Sequence, residues 1–366
     1  MIQRLYVHNY RCLENFELPL AGRPSALLIG ANGAGKSTVR AALEVLRQLA
    51  RGANRVGDLL AAGDFAGART DVPIRFELEA VLNGATYEYR LACELPPGFR
   101  ELRVLDESLA CDGEPVYSRE LSQVNLANQG ESRFGLDWHT IALPIIHERS
   151  NTEPVAVFRR WLASMLLLAP IPSAMTGDSD GETTQPDWHL TTFGNWWSGV
   201  IGQAPAAYSV VADYLRALLP DFAEVFNRAT GQDAKRLFVR FRKDQSGLEV
   251  PFGALSDGEK SYFVAALVLA ANQAYGPLVC FWDEPDSHLA LSEVGQFVLA
   301  QRRACEARGQ FLATSHDPET IRHFAAENTL LLFRRSHLEP TIVRPVSELQ
   351  VHGNLVDALL RGDVEP

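Results

Sequence analysis

Gly30-Ala31-Asn32-Gly33-Ala34-Gly35-Lys36-Ser37 is the stretch that decides the fold of this chain. These eight residues fit the pattern G-x-x-x-x-G-K-[ST], whose glycines let the backbone wrap a phosphate chain with its N–H groups pointing inward. The flanks suit the pattern. Residues 25–29, Ser-Ala-Leu-Leu-Ile, read as a short buried strand, and residues 37–50 read as a helix. The helix N-terminus brings the positive end of its dipole to the same place. Lys36 is expected to reach the β- and γ-phosphates of a nucleotide, and the Ser37 hydroxyl to hold Mg²⁺.

The chain has 366 residues, 46% of them hydrophobic, enough for one large core or one core with a sizeable insertion. Its formal net charge of −11 argues against a protein that coats DNA with its whole surface. Nucleic-acid contact would need a local basic patch or a partner. The five cysteines are scattered, none at C-x-x-C spacing, which argues against a zinc site and for a reducing compartment. No apolar run is long enough for a membrane span, and the N-terminus begins as a strand. A cytoplasmic protein without membrane contact is expected.

Working outward, residues 2–7 and 16–20 read as strands. Residues 72–82, 86–95 and 102–111 alternate apolar and polar side chains between turns at Asn83-Gly84, Pro96-Pro97-Gly98 and Asp112-Gly113, the pattern of an antiparallel meander. Residues 153–168 read as a helix, 170–187 as a mobile polar loop, and 190–219 as helical with breaks at 195–198 or at Pro205. A hairpin is expected over 237–252, helices over 256–274 and 292–308, and buried strands over 278–282 and 310–314. A last hairpin joins 330–333 to 341–344. No repeat and no heptad run is visible.

Two further motifs carry chemistry. Leu278-Val279-Cys280-Phe281-Trp282-Asp283-Glu284 delivers two carboxylates at the end of an apolar strand, where α/β sheets keep their ligands. Asp283 would hold Mg²⁺, and Glu284 would act as general base on the attacking water. Leu255-Ser256-Asp257-Gly258-Glu259-Lys260 opens a helix. Ser256 with Glu259 is by itself a plain capping box. Standing just before the carboxylate strand, however, the segment resembles the signature motif of ABC-type ATPases, Leu-Ser-Gly-Gly-Gln, with Asp257 in place of the first glycine as in the RecF, SMC and OLD-like branch. Two more pieces agree in order: Ala313-Thr314-Ser315-His316-Asp317-Pro318 resembles the switch-histidine loop, and Pro285-Asp286-Ser287-His288-Leu289 stands where the D-loop lies.

The resemblance implies an α/β fold: an ABC-type P-loop ATPase head with a mixed sheet, an antiparallel β subdomain and a mainly helical insertion. Its expected parts are an N-terminal lobe over 1–150, the insertion over 151–236 and a C-terminal lobe over 237–366. It implies ATP with Mg²⁺, the nucleotide sandwiched between two protomers of a homodimer or higher oligomer. Ser256 and the Gly258 backbone would bind the γ-phosphate held by the opposite protomer, and His316 would sense it. The nucleotide contacts expected are Asn32, Gly33, Ala34, Gly35, Lys36, Ser37 and Thr38 with Ser256 and Gly258. Lys36, Glu284 and His316 form the catalytic set, and Ser37 and Asp283 the metal ligands. Asn9-Tyr10-Arg11-Cys12-Leu13 resembles the Asn-Phe-Arg-Ser-Phe opening of these ATPases, so Arg11 reads equally as a nucleotide contact or a solvated turn arginine. The Q-loop glutamine is not identifiable; Gln123 and Gln129 are candidates by order, with His147-Glu148 nearby.

Three roles fit such an ATPase. One is a dimeric switch that senses or clamps nucleic acid in DNA repair or antiphage defence. Another is a scaffold whose nucleotide state holds or releases a separate effector, a nuclease or toxin. The third, a transporter subunit, is disfavoured by the signature variant. OLD-type nucleases carry a further domain after the ATPase; so little chain follows the last hairpin that an effector is expected as a separate chain. For contact with partners, Trp138, Trp161, Trp188, Trp196 and Trp197 are either core or anchors, and the neighbours Trp196 and Trp197 cannot both face inward equally on a helix. Arg240 and Arg242 share a strand face, as a phosphate-contacting ridge or a solvated one.

Overall fold

In the computed structural model, which describes residues 1–127, 132–349 and 358, the chain parts into two units: Met1–Met165 with Ala326–Pro366, and Leu166–Ala325. The alternating segments of the first unit form an eight-stranded sheet in the order Phe16–Pro19, Ile2–His8, Ile74–Leu82, Ala85–Glu94, Arg103–Cys111, Glu114–Glu120, Gln123–Leu126 and Ser132–Gly135. Every neighbouring pair is antiparallel. Asn83 and Gly84 both adopt positive φ, the conformation a two-residue hairpin turn requires. The expected meander is therefore present, and longer than the sequence indicated.

One buried polar network ties this sheet to the segment that follows it. Glu107 is 1% exposed and accepts hydrogen bonds from Tyr117 Oη at 2.8 Å, Tyr89 Oη at 3.1 Å and the backbone N–H groups of Ala142 at 2.7 Å and Leu143 at 2.9 Å. Arg119, equally buried, donates to the carbonyls of Leu121, Asp137 and Thr140. Burial pushes the Glu107 carboxyl upward, and the Ala142, Tyr117 and Leu143 donors pull it back.

In the same unit the strand Ser25–Ile29 runs parallel to Thr329–Phe333, which pairs antiparallel with Ile342–Pro345. All five residues of Ser25–Ile29 are buried. The helix Lys36–Ala50 presents Val39, Ala42, Leu43 and Leu46, all fully buried, at the three- and four-residue spacing of a core-facing stripe.

The second unit carries the parallel strands Leu166–Leu168, Val279–Asp283 and Gln310–Thr314. The helix Asp257–Tyr275 is buried without a break from Lys260 to Val268, so it has no polar face and forms the core of this unit. A second, antiparallel sheet pairs Lys235–Lys243 with Phe222–Ala229, Ser246–Pro251 and the short Asp178–Ser179.

Several sequence expectations change here. The helix expected over 153–168 covers only Pro154–Ala163; the Leu-Leu-Leu run becomes a strand because pairing with Val279–Asp283 buries all three side chains. The polar segment 170–187 is not a free loop: it adds a strand to the antiparallel sheet, and the Pro172 carbonyl accepts from buried Lys260 Nζ at 2.8 Å. The strand Phe222–Ala229 had no sequence reading. Trp196 and Trp197 are both buried, at 0% and 2% exposure. Their helix, Phe193–Gln203, is covered on more than one side. A side-chain carbon on Gly194 would lie 2.4 Å from the Asp178 carbonyl oxygen, so only glycine admits that close approach.

Candidate nucleotide site

The phosphate loop belongs to the first unit. It leaves the buried strand at Gly30, whose φ is +147°, and an added Cβ would stand 2.1 Å from the Leu332 carbonyl oxygen of the neighbouring strand. Gly35, with φ +103°, is the N-cap of the helix Lys36–Ala50; a Cβ there would meet Thr341 Oγ1 at 2.8 Å and Cys12 Sγ at 3.1 Å. No side chain caps this helix and no acidic residue occupies its first turn, so no group of the helix itself offsets the positive field of its N-terminus. Lys36 is 8% exposed and folds back, with Nζ donating to the Gly30 carbonyl at 2.6 Å. Asn32, Gly33 and Ser37 are exposed, Ala34 is buried, and Thr38 is half-buried with Oγ1 3.4 Å from Cys12 Sγ. A loop closed to a Cβ at both Gly30 and Gly35, an uncapped helix start, a lysine and an exposed serine together suit a polyphosphate and its cation.

Arg11 has φ +54° and is tied to Asp64 twice: its backbone N–H donates to the Asp64 carbonyl at 2.7 Å and Nε to Oδ1 at 2.9 Å. Its guanidinium also lies over the Tyr10 ring, 5.0 Å from the centroid.

The second unit holds the acids. At the end of Val279–Asp283, one hydroxyl organises both carboxylate residues. Thr314 Oγ1 donates to Asp283 Oδ1 at 2.5 Å and accepts from the Glu284 backbone N–H at 3.0 Å. Glu284 takes φ +50°, a left-handed conformation that is costly for a residue with a side chain and gathers at functional sites. Its Oε1 lies 3.9 Å from His316 Nε2, and its Oε2 accepts from Ser287 Oγ at 3.2 Å. Both Glu284 and His316 are about half exposed, so their pairing contributes little to stability.

Beneath this pair, Asp286 is 6% exposed and accepts from the hydroxyls of Ser315 and Thr320. Burial raises its carboxyl above the ordinary value of 3.8, against the opposing effect of the two hydroxyls. The residues around His316 are thus pinned from both sides, since Asp317 caps the helix Pro318–Arg322 and donates its own N–H to Ser315 Oγ at 2.8 Å. Sequence reading placed Thr314, Ser315 and Asp286 inside motifs without giving them a role, and missed Thr320. A threonine ending a strand and an aspartate in a turn are ordinary local choices, and only the tertiary pairing gives them a role.

Ser256 and Gly258 begin the helix Asp257–Tyr275. The capping box is complete: Ser256 Oγ donates to Glu259 Oε2 at 2.7 Å and accepts from the Glu259 N–H at 3.3 Å. The segment 285–289 abuts this start, because a Cβ on Gly258 would stand 2.9 Å from the His288 carbonyl oxygen, and His288 Nδ1 lies 4.0 Å from Asp257 Oδ2.

Other candidates fall elsewhere. Gln123 sits on the strand Gln123–Leu126, and Gln129 lies outside the described residues. Glu148 pairs with Arg159 at 2.5 Å. The Arg240 ridge is matched by acids: Arg240 bonds Glu224 and Glu249, and Arg228 bonds Glu249 at 2.5 Å. Among the described residues, no helix is long and apolar enough to cross a membrane.

The mixed α/β fold, with its phosphate loop after a buried strand and its strand-borne acid pair, is that of a P-loop ATPase of the ABC, SMC and OLD-like group. Residues 25–322 match the family described as "AAA domain, putative AbiEii toxin, Type IV TA system", and the chain belongs to that family. Its fold is similar to an SMC head in a crystal structure with the C-terminal winged-helix domain of ScpA, at 15% identity and a TM-score of 0.56 over 94% of this chain and 97% of that one. It is also similar to an SMC head with an extended coiled coil bound to the C-terminal domain of ScpA derived from Pyrococcus furiosus, at 12% identity and a TM-score of 0.50 over 99% of each chain. The OLD nuclease of Thermus scotoductus is 46% identical over 46 residues, 13% of this chain and 8% of that protein. The chain thus spans less than a tenth of that relative's length.

Proposed function

We propose that the protein is an ATP-binding and ATP-hydrolysing dimeric switch acting in DNA repair or antiphage defence. Glu284 carries this reading: a carboxylate beside a histidine, held in a strained left-handed backbone at the end of a buried strand, in a chain that also bears a phosphate loop. The loop N–H groups and Lys36 bind the phosphates, with Lys36 leaving the Gly30 carbonyl to do so. Ser37 and Asp283 would hold Mg²⁺, which would supply charge neutralisation. Glu284 takes the proton of the attacking water, and His316 contacts the γ-phosphate. Ser256 and Gly258 of one protomer close on the nucleotide of the other. The description of the family as a putative AbiEii toxin and the short match to an OLD nuclease support the defence role.

The test is the mass of the Glu284→Gln protein with and without ATP and Mg²⁺. An ATP-dependent doubling is expected, because binding persists while chemistry is lost. A variant that stays monomeric with ATP counts against the sandwich. A second reading, a scaffold that holds and releases a separate effector without direct DNA binding, is favoured by the net charge of −11 and by the acids that neutralise Arg240. A DNA titration at several salt concentrations separates the two: switch-type clamping gives affinity that falls steeply with salt, and the scaffold gives none to measure.

A further inference from the structure

We propose that His337, which no motif picks out, contacts the phosphate chain of the nucleotide held by the phosphate loop. The proposal rests on the reading of residues 30–37 given above and adds a residue from a distant part of the same unit. His337 stands in the connection between the strands Thr329–Phe333 and Ile342–Pro345, and both ends of that connection are fixed to the phosphate loop or its support. At one end the Leu332 carbonyl packs against Gly30. At the other the Thr341 N–H donates to the Cys12 carbonyl at 2.9 Å while its side chain lies against Gly35.

The bend between these ends is held by its own hydrogen bonds. Arg334 donates to the carbonyls of Glu339, at 2.6 Å, and His337, and the N–H groups of Leu338 and Glu339 return to Ser336 at 3.2 Å. The result sets His337 Nε2 3.7 Å from the point where a Cβ of residue 33 would stand. Apart from Gly33 and its chain neighbours, it is the only heavy atom of the described residues within 4 Å of that point. Gly33 and His337 are both exposed, so the ring borders the open side of the loop. An imidazole nitrogen one contact away from backbone that surrounds phosphates is within hydrogen-bonding reach of a phosphate oxygen, as a neutral or a charged donor. The plain alternative is a surface ring resting on a glycine, which would leave binding untouched.

The experiment measures ATP and GTP affinity for the wild type, His337→Ala, His337→Gln and Lys36→Ala, with the melting temperature of each unliganded protein. His337→Ala is expected to weaken both nucleotides by roughly five- to tenfold, the net value of one ordinary hydrogen bond. His337→Gln, which keeps an N–H donor, should retain most of the affinity, and neither change should move the unliganded melting temperature. Wild-type affinity in His337→Ala beside a crippled Lys36→Ala would overturn the proposal and leave the phosphate-loop reading intact. A loss confined to one nucleotide would also overturn it, since the ring would then be reading the base. Normal binding by Lys36→Ala would sink the phosphate-loop assignment and the His337 contact together.

Discussion

The phosphate loop and the acid-bearing strand end are built on opposite principles. The loop is made of backbone: its shape comes from glycines at positive φ, two of which, Gly30 and Gly35, are pressed so closely by Leu332, Thr341 and Cys12 that no side chain fits there. The strand end is made of side chains: Thr314 bridges Asp283 and Glu284, and Asp286 gathers Ser315 and Thr320 beneath His316. A backbone-built site constrains residue identity at fixed spacing and so leaves a signature. A side-chain network needs only hydroxyls and carboxylates that meet in space, and leaves almost none.

The sharpest way to break this contrast is the smallest change to the loop. Gly30→Ala adds one methyl group 2.1 Å from a carbonyl oxygen at a φ unfavourable to alanine. It should cost on the order of 4 kcal/mol and abolish ATP binding, measured by denaturant unfolding and calorimetry. A folded variant that still binds would show the loop to be more plastic than its packing implies. Asp286→Ala strikes the other region. It leaves two fully buried O–H donors without their acceptor, so about 2 to 4 kcal/mol should be lost. Hydrolysis should fall further than ATP affinity, and equal losses in both would deny the network a special link to His316.

Thr314→Val is milder. It removes the hydroxyl that serves both acids, and turnover is expected to drop about tenfold with ATP affinity within a factor of two. The smallest effect expected is on the pH dependence of folding. Because burial raises the folded pKa of Asp286, its contribution is fully present below the unfolded value of 3.8 and is lost as pH rises through the folded value. The stability gap between wild type and Asp286→Asn should therefore narrow, or turn in favour of asparagine, on going from acid to neutral pH. A gap that widened would mean the hydroxyls, not burial, govern this carboxyl.

The same contrast explains what was legible in the chain. Residues 30–37, the meander and the buried strand before Asp283 were readable because glycine spacing and alternation are local signals. The strand Leu166–Leu168 was not, because three leucines carry no period and only pairing with Cys280, Phe281 and Trp282 makes them a strand. Trp196 and Trp197 misled for a related reason: adjacency on a helix implies one outward face only where solvent lies beyond it. His337 had no readable signal, since it reaches Gly33 through three hundred residues of intervening sequence.

One detail of the helix Asp257–Tyr275 reaches beyond its geometry. The Ser256 hydroxyl, the group assigned to an incoming phosphate, already donates to the carboxylate of Glu259 at 2.7 Å. Glu259 is therefore a resident competitor: an anion tethered where another anion must dock. On the proposed reading, a phosphate arriving from a partner protomer would take the Ser256 O–H from a like charge, while Ser256 Oγ can go on accepting from the Glu259 N–H and keep the helix capped. If the proposed sandwich forms, this contact sets a threshold for it: closure is favoured only when a full triphosphate is there to outbid the carboxylate.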